Sequence, residues 1–390
     1  MPATFEGDLY ARAMLRDPHP AYARLRAMAP AVWMPRRRMW AIARYDDVRT
    51  ALRAADVLVS GKGVAANDTV NSLSSPVTLT SDGETHDRRR LALIQPLTPA
   101  PLKDLRPRLE AEAATLVDGL ADGRTFEAMS TFAAHLPVTI VAELVGLDAW
   151  ARARMLKWAA AAFNALGVMN LRGLTAVPVM QGLGRYVRDL DRKGVTPGGW
   201  ADRLFDAADR GDISRTEARA MIIDYVAPAL DTTILATGQM LWRLATTPGA
   251  YDAVRADPSL IPGVVNEAVR MGSPIRGFTR YAAEAFELDG VTIPAGDRAL
   301  ILFASANRDP DKYADPDRFD VARNPRDHVG WGHGQHTCVG MHLARLEMET
   351  LLATLVRKVE RIETGRPTLA WNNVLQGFAR LPARLVPAAG

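Results

Sequence analysis

The sequence predicts a mainly α protein with minor β structure. Three observations carry that expectation. From about Pro99 to Gly272 the chain is rich in Ala, Leu and Arg, residues that sit easily in helices. Short β-prone runs follow: Phe278-Thr-Arg-Tyr-Ala, Val291-Thr-Ile-Pro and Ala299-Leu-Ile-Leu-Phe. A further helix, Gly340 to Lys358, then leads into a hairpin-like tail.

The first hundred residues mix short helices and strands. Pro20 to Met28 reads as a helix with Tyr22, Leu25 and Met28 on one face. Val32-Trp-Met and Met39-Trp-Ala-Ile-Ala suggest two strands around the basic turn Pro35-Arg-Arg-Arg. From Gly61 to Ser81 the chain is polar, with Gly63, Asn67, Asn71, Ser74, Ser75 and Pro76. A long irregular segment of this kind inside a compact domain is usually functional. Asp257-Pro-Ser-Leu opens the last helix of the central region, which runs through Glu267 and Arg270, and a Pro/Asp-rich stretch covers Asp309 to His328.

The chain has 390 residues, of which 48% are hydrophobic and 24% charged, an ordinary globular balance. Its length alone suggests two or three domains. Pro and Gly are scattered, though, and no repeat, charge run or low-complexity tract marks a boundary, so a single domain over 1–390 is expected. The net charge of +4 comes with arginines spread along the chain. That pattern fits a solvated surface, or a mildly basic face for an acidic protein partner, better than a nucleic-acid site. The N-terminus lacks the basic and apolar regions of a signal peptide, and no uncharged apolar run reaches 18 residues. A cytoplasmic protein with no membrane and no nucleic-acid partner is the expectation.

There is one cysteine, Cys338, which excludes an internal disulfide and every multi-cysteine zinc or iron–sulfur site. A lone cysteine is most often a small buried hydrophobe. Here it stands in Trp331-Gly-His-Gly-Gln-His-Thr-Cys338-Val-Gly340, directly before a helix. Glycines on both sides let the backbone loop closely around the sulfur, and the following helix N-terminus favours a thiolate. That suits a sulfur that must stay anionic on a metal. A zinc cluster of His333, His336, Cys338 and His342 is the competing reading, with spacing that fits zinc patterns poorly.

The segment resembles the haem-ligand signature of the cytochrome P450 family, aromatic-Gly-x-Gly-x-His/Arg-x-Cys-x-Gly, with Trp331 where Phe is usual. The resemblance extends from about Pro18 to the end and rests on four more matches in order. Glu267-Ala-Val-Arg270 corresponds to the family's buried ExxR pair, whose third member would be Arg323 or, less well placed, Arg318. In His86-Asp-Arg-Arg-Arg90 the family's His and Arg bind haem propionates. Arg280 in Phe278-Thr-Arg280 does the same, and His336 is the fourth donor. Pro228-Ala-Leu-Asp231-Thr232-Thr233 resembles the acid–alcohol segment whose Asp and Thr relay protons during dioxygen activation. Pro228 departs from the family's small-residue pair, and proline should kink the helix by removing the bond to the carbonyl of Asp224.

The resemblance implies a triangular helical prism, the cytochrome P450 fold. It also implies haem b (iron protoporphyrin IX) as cofactor, dioxygen as co-substrate and monooxygenase activity. The matching positions give a substrate pocket of Leu79, Phe163, Leu166, Asp224, Ala227, Pro228, Ile275, Phe278 and Phe378. Phe163-Asn-Ala-Leu-Gly and Trp371-Asn-Asn-Val-Leu-Gln-Gly are similar to segments of a bacterial subgroup that oxidises para-substituted benzoates, notably by O-demethylation of methoxyarenes. That subgroup holds the substrate carboxylate with Arg and Ser. Here residues 63–80 contain no Arg, and Asp224 stands at the central-helix Ser position. Electrons are expected from a separate ferredoxin and its NAD(P)H-dependent reductase, with Arg88, Arg89 and Arg345 as docking candidates. The alternatives are a peroxide-driven peroxygenase and a non-catalytic haem-binding sensor. Neither needs the Asp231–Thr232 pair.

Overall fold

The structure, a computed structural model, describes residues 2–73 and 77–388. Ser74, Ser75 and Pro76 of the irregular segment lie outside the described residues. The helices that place the site are α1 (Tyr45–Arg53), α2 (Gly83–Ile94), α3 (Pro99–Leu120), α4 (Met155–Ala165) and α5 (Leu171–Asp189). They continue with α6 (Arg215–Val226), α7 (Asp231–Thr246), α8 (Ile261–Gly272) and α9 (Met341–Lys358). The strands are β1 (Ala31–Met34), β2 (Met39–Ile42), β3 (Leu58–Val59), β4 (Thr125–Glu127), β5 (Phe278–Ala282), β6 (Arg298–Ile301), β7 (Val359–Thr364) and β8 (Pro382–Pro387).

Local chemistry explains where the central helices start. Ser214 and Glu217 form a reciprocal capping box: Glu217 N–H donates to Ser214 Oγ at 3.2 Å and Ser214 N–H to Glu217 Oε2 at 2.8 Å. Pro262 sits in the first turn of α8, where its missing N–H costs nothing. Every residue of α8 except Pro262 is buried. It packs between α7 and α9, and apolar side chains from Ala31 to Leu385 join one core around them.

β1, β2, β6, β5 and β3 lie side by side in a five-stranded sheet. β2 and β6 run parallel, with Trp40 opposite Ala299, while β5 lies antiparallel to β6 with Arg280 opposite Ala299. The sheet thereby brings residue 280 back beside the N-terminal half of the chain. β6 ends at Ile301, so Leu302 and Phe303 leave the predicted strand and Phe303 opens a short helix. β8 pairs with both β4 and β7 in a second sheet. The segment from Gly61 to Ser81 is less irregular than its sequence suggests. A short helix, Asp68–Ser72, is capped by Asn67, and a 3₁₀ turn covers Thr78–Thr80.

The stretch Arg215–Thr246 is long and apolar enough to cross a membrane by length and composition, but 67% of its most apolar window is buried inside the protein. It is also not one helix. The backbone ladder runs to Ala227 N–H on Ile223 O (2.9 Å) and resumes with Ile234 N–H on Leu230 O (3.0 Å). Between them lies Pro228, which lacks the donor for the carbonyl of Asp224.

Candidate active site

Cys338 sits in a loop that only glycine allows. Gly332 and Gly334 have φ of 73° and 72°, and a Cβ on Gly334 would lie 2.6 Å from Leu52 O. The loop is therefore pressed onto the end of α1. Cys338 N–H donates to Trp331 O at 2.8 Å, and α9 begins three residues later at Met341. Burial pushes the Cys338 thiol pKa up, opposed by the N–H of Gly340, by Arg90 and by the N–H of Met341. The residue is nonetheless exposed, although protein surrounds it closely. A side chain opening onto internal space satisfies both facts.

Four cationic or donor groups gather nearby. His86, on α2, is fully buried, and its ring lies 4.4 Å from that of His336. His86 Nδ1 is 3.0 Å from Asp87 Oδ1, while its Nε2 is buried without a hydrogen-bond partner. His336 Nε2 is likewise orphaned, 3.9 Å from Asp82 Oδ1 and too far for a hydrogen bond. Arg90, one turn after His86, donates to Thr337 O at 2.8 Å. Arg280 is buried and donates to Thr279 O at 2.9 Å; burial lowers its pKa to about 10, opposed by Asp82. A buried polar atom left unpaired costs about 1–3 kcal/mol. Two such atoms beside a buried guanidinium therefore mark a place where an outside acceptor belongs. Among the described residues no three His, Cys, Asp or Glu side chains converge to hold a metal ion, which removes the zinc reading.

Asp82 is a site residue that sequence reasoning missed. Its carboxylate accepts from Ser60 N (2.8 Å) and Gly61 N (2.6 Å), fixing the start of the polar segment beside His336. It occupies the N-cap of α2 without capping it, so a helix-start signal was present but pointed to the wrong job.

Below this cluster lies a fully buried ion pair. Arg270 grips Glu267 through Nε (2.7 Å) and an amino nitrogen (2.8 Å), and both side chains are 0% exposed. Arg323 reaches the same carboxylate at 3.2 Å, whereas Arg318 turns to Asp320 at 3.0 Å. The remaining Arg270 donors go to Asn307 O (2.6 Å) and Pro316 O (2.9 Å), tying α8 to the stretch before the cysteine loop.

At the break in the central helix, Thr232 Oγ1 donates to Pro228 O at 2.9 Å. Asp231 opens α7, and burial alone pushes its carboxyl pKa up to about 7. Asp224 is placed differently from the expectation of a free pocket carboxylate. Its Oδ2 accepts from Thr78 N–H at 2.8 Å, so it pins the Thr78–Thr80 turn to α6; burial raises its pKa to about 6, and the N–H groups of Thr78 and Leu79 hold it back.

Of the expected pocket residues, Leu79, Leu166, Ala227 and Ile275 are half-buried and Pro228 is exposed. Phe163 is buried at the end of α4, and Phe278 packs edge-on against Phe303 (6.1 Å between centroids). Phe378 is buried too and lies against Trp242 at 5.4 Å, nearly three turns beyond Thr232. The docking candidates all carry partners, and only Arg89 is buried. Arg88 and Arg89 both bind Glu217, at 2.7 and 2.9 Å, and Arg345 pairs with Glu349 at 3.6 Å. Arg89 is drawn inward by Glu217 while Arg88 stays exposed, and the two hold the Glu217 carboxyl below the usual range.

Iron protoporphyrin would need from a protein a ligand for its iron, here a thiolate, and hydrogen-bond donors for its own two carboxylates. The orphaned donors around Cys338 fit that demand, which defines a haem-thiolate protein. Comparison with known proteins agrees. The family model described as Cytochrome P450 matches residues 200–375. Cytochrome P450 CYP199A2 of Rhodopseudomonas palustris is 34% identical over 387 residues, covering 98% of this chain and 94% of that protein. The 6-deoxyerythronolide B hydroxylase of Saccharopolyspora erythraea is 30% identical, covering 97% and 98%. The solved structure of Cytochrome P450 CYP109Q5 from Chondromyces apiculatus superposes with a TM-score of 0.79 at 27% identity, covering 100% of both chains. The chain belongs to the cytochrome P450 family. It is a bacterial haem-thiolate monooxygenase, with haem b as cofactor and dioxygen as co-substrate.

Proposed function

We propose that the enzyme hydroxylates or O-dealkylates a small aromatic molecule, neutral or cationic, using electrons from an acidic ferredoxin and its reductase. The observation that supports this most is the apolar lining offered by Phe163, Leu166, Ile275 and Phe278, with an acid, Asp224, as the charged side chain of the set. Flat apolar walls suit an aromatic ring. An anionic benzoate would meet a carboxylate that is mostly ionised at pH 7. A benzoate would instead need loop hydroxyls and water.

In this reading Cys338 holds the iron, and His86, Arg90, Arg280 and His336 hold the two propionates by charge-assisted hydrogen bonds. The bound haem supplies the dioxygen chemistry, and a thiolate ligand increases electron density on the iron. Glu267, Arg270 and Arg323 keep the cysteine loop in place. Asp231 and Thr232 manage protons: Asp231 exchanges one near neutral pH, and the Thr232 hydroxyl, steered by Pro228 O, is fixed one residue away. The ferredoxin docks on the face where Arg49 and the exposed Arg53 flank His333 of the cysteine loop.

The test is spectral titration of the ferric protein with 4-methoxybenzoate and a neutral methoxyarene, followed by NADH-driven turnover with ferredoxin and reductase. The neutral compound should bind more tightly, and Asp224→Ser should narrow the gap by on the order of 1–4 kcal/mol at an effective dielectric near 20. Tight benzoate binding that the substitution leaves unaltered would overturn the charge argument. Turnover with peroxide alone would overturn the ferredoxin.

A second expected result concerns protons. Thr232→Ala and Asp231→Asn should keep haem yet divert NADH consumption into peroxide, lowering product formation by about a hundredfold, the usual reach of general acid–base help. Unchanged product per NADH would remove both residues from the proton path. The raised Asp231 pKa also has a stability sign. Ionising it costs nothing in the unfolded chain above pH 4 but must overcome burial in the fold, so its destabilising effect grows up to about pH 7. The thermal midpoint of Asp231→Asn should therefore gain on the parent protein as pH rises from 4 to 8.

A further inference from the structure

We propose that the enzyme binds a free phosphate ion between Arg243 and His19, behind the buried ion pair of α8. Neither residue takes part in the haem cluster or in the handling of protons, so the site is independent of the substrate reading.

Arg243 stands in the last turn of α7, half-buried, with its guanidinium over the ring of Trp242 at 4.6 Å. Among the described residues its side chain has no hydrogen-bond or ion-pair partner, and its Nε is enclosed. A guanidinium carries five N–H donors, and one taken out of water is normally paired. The His19 side chain is also half-buried, edge-on to Tyr22 at 6.2 Å between ring centroids. Its Nδ1 is enclosed and unpartnered, which leaves Nε2 as the ring nitrogen open to a ligand.

The fold brings these groups to one place. A Cβ on Gly272, the last residue of α8, would lie 3.2 Å from Gln239 Cγ on α7. Arg243 stands one turn beyond Gln239 on the same face. Arg308 donates to Met271 O at 3.1 Å and so reaches the same end of α8. Arg308 N–H and an Arg26 amino group both donate to Ser305 O, each at 3.0 Å. His19 lies two turns before Arg26 on the helix His19–Met28. The charges register this closeness. Burial and then Arg308 push the His19 pKa down to about 4, with Arg243 adding to the effect. Burial and then Arg308 likewise lower that of Arg243 to about 10.

What the cluster lacks is negative charge. Glu267 is shared by Arg270 and Arg323, and Asp317 is taken by Arg308. Arg308 is 6% exposed and even so keeps an enclosed Nε without a partner. Arg243 is left with no carboxylate among the described residues, and the exposed Asp17 is the other acid that acts on His19. Asp317 is 76% exposed and lines, with Asp315, Pro316 and Arg318, an open cleft of about 520 Å³, so solvent reaches this layer. A tetrahedral oxyanion accepts from a guanidinium fork through two oxygens and keeps another for the imidazole. Chloride offers no such directed pair. A phosphate here supplies the missing charge behind Glu267 and Arg270 and stabilises the fold by mass action.

The experiment titrates haem-loaded protein with inorganic phosphate by calorimetry and follows thermal melting, with ionic strength held constant by potassium gluconate. Phosphate should bind and raise the thermal midpoint, whereas chloride at the same ionic strength should not. Arg243→Met keeps an apolar stem over Trp242 and removes the charge, so it should raise the phosphate dissociation constant at least about tenfold. His19→Phe keeps the contact with Tyr22 and should raise it at least about threefold. Asp317→Asn removes the competing acid and should lower it at least about twofold. No midpoint shift with phosphate, an equal shift with chloride, or an unaltered dissociation constant in Arg243→Met or His19→Phe would overturn the site. Should Arg243→Met fail to fold, Asp317→Asn decides: phosphate binding left unaltered or weakened means that no anion sits in this cluster.

Discussion

Cys338→Ser is expected to fold, to lose the red-shifted absorption band of the reduced carbon monoxide complex, and to reduce NADH-supported product formation to background. The loop geometry depends on Gly332 and Gly334 and on the Cys338 N–H to Trp331 O bond, none of which needs sulfur. What serine cannot supply is a soft anionic ligand at neutral pH. No other cysteine exists in the chain to take over. Far-ultraviolet circular dichroism would report the fold, and the reduced carbon monoxide spectrum the ligand. An unaltered band in the serine protein would show that the iron is held elsewhere.

Glu267→Ala is expected to be the most damaging single change to stability. It removes the counter-charge from Arg270, which is 0% exposed, and from Arg323, while the apolar α8 offers nothing in its place. Breaking a buried pair in this way costs about 3–5 kcal/mol, because an uncompensated charge stays behind. For a protein whose total stability is of the order of 5–15 kcal/mol, that is a large fraction. Haem content should fall with it, since Arg270 also ties the segment before the cysteine loop through Asn307 O and Pro316 O. Chemical denaturation would measure the loss. Replacing Glu267, Arg270 and Arg323 together by leucine should cost less than Glu267→Ala alone. A loss under about 1 kcal/mol for the single change would show that the pair is not needed for stability.

The parts of the site that sequence made legible are those whose chemistry is local. The glycines around Cys338 announce a loop that closes on a sulfur, and the structure gives Gly332 and Gly334, though not Gly340, a positive φ. Pro228 announces a break, and the ladder stops and restarts around it. His86 and Arg90 are four apart on one helix and needed only helical periodicity to be paired. What stayed hidden depends on partners far along the chain. Arg88 and Arg89 look like free surface charge until α6 brings Glu217 to them, 129 and 128 residues away. Asp224 looks like an unpaired acid until Thr78 N–H reaches it from 146 residues earlier. Asn67 and Asn373 carry no motif at all. Their hydrogen bonds to the carbonyls of residues 164, 165, 167 and 168 form only when three segments meet, and no periodicity encodes that.

The interrupted central helix has a consequence for the chain before it folds. Read as a ribosome delivers it, Arg215–Thr246 is the one stretch long and apolar enough to resemble a bilayer-spanning segment among the described residues. A spanning helix needs about 20 continuous residues, and the break leaves arms of 12 and 16. Asp224 and Asp231 stand either side of Pro228, and each acid near the middle of a span opposes insertion by roughly 2.5–3.5 kcal/mol. The residues at the helix break thus also oppose insertion of this stretch into a bilayer.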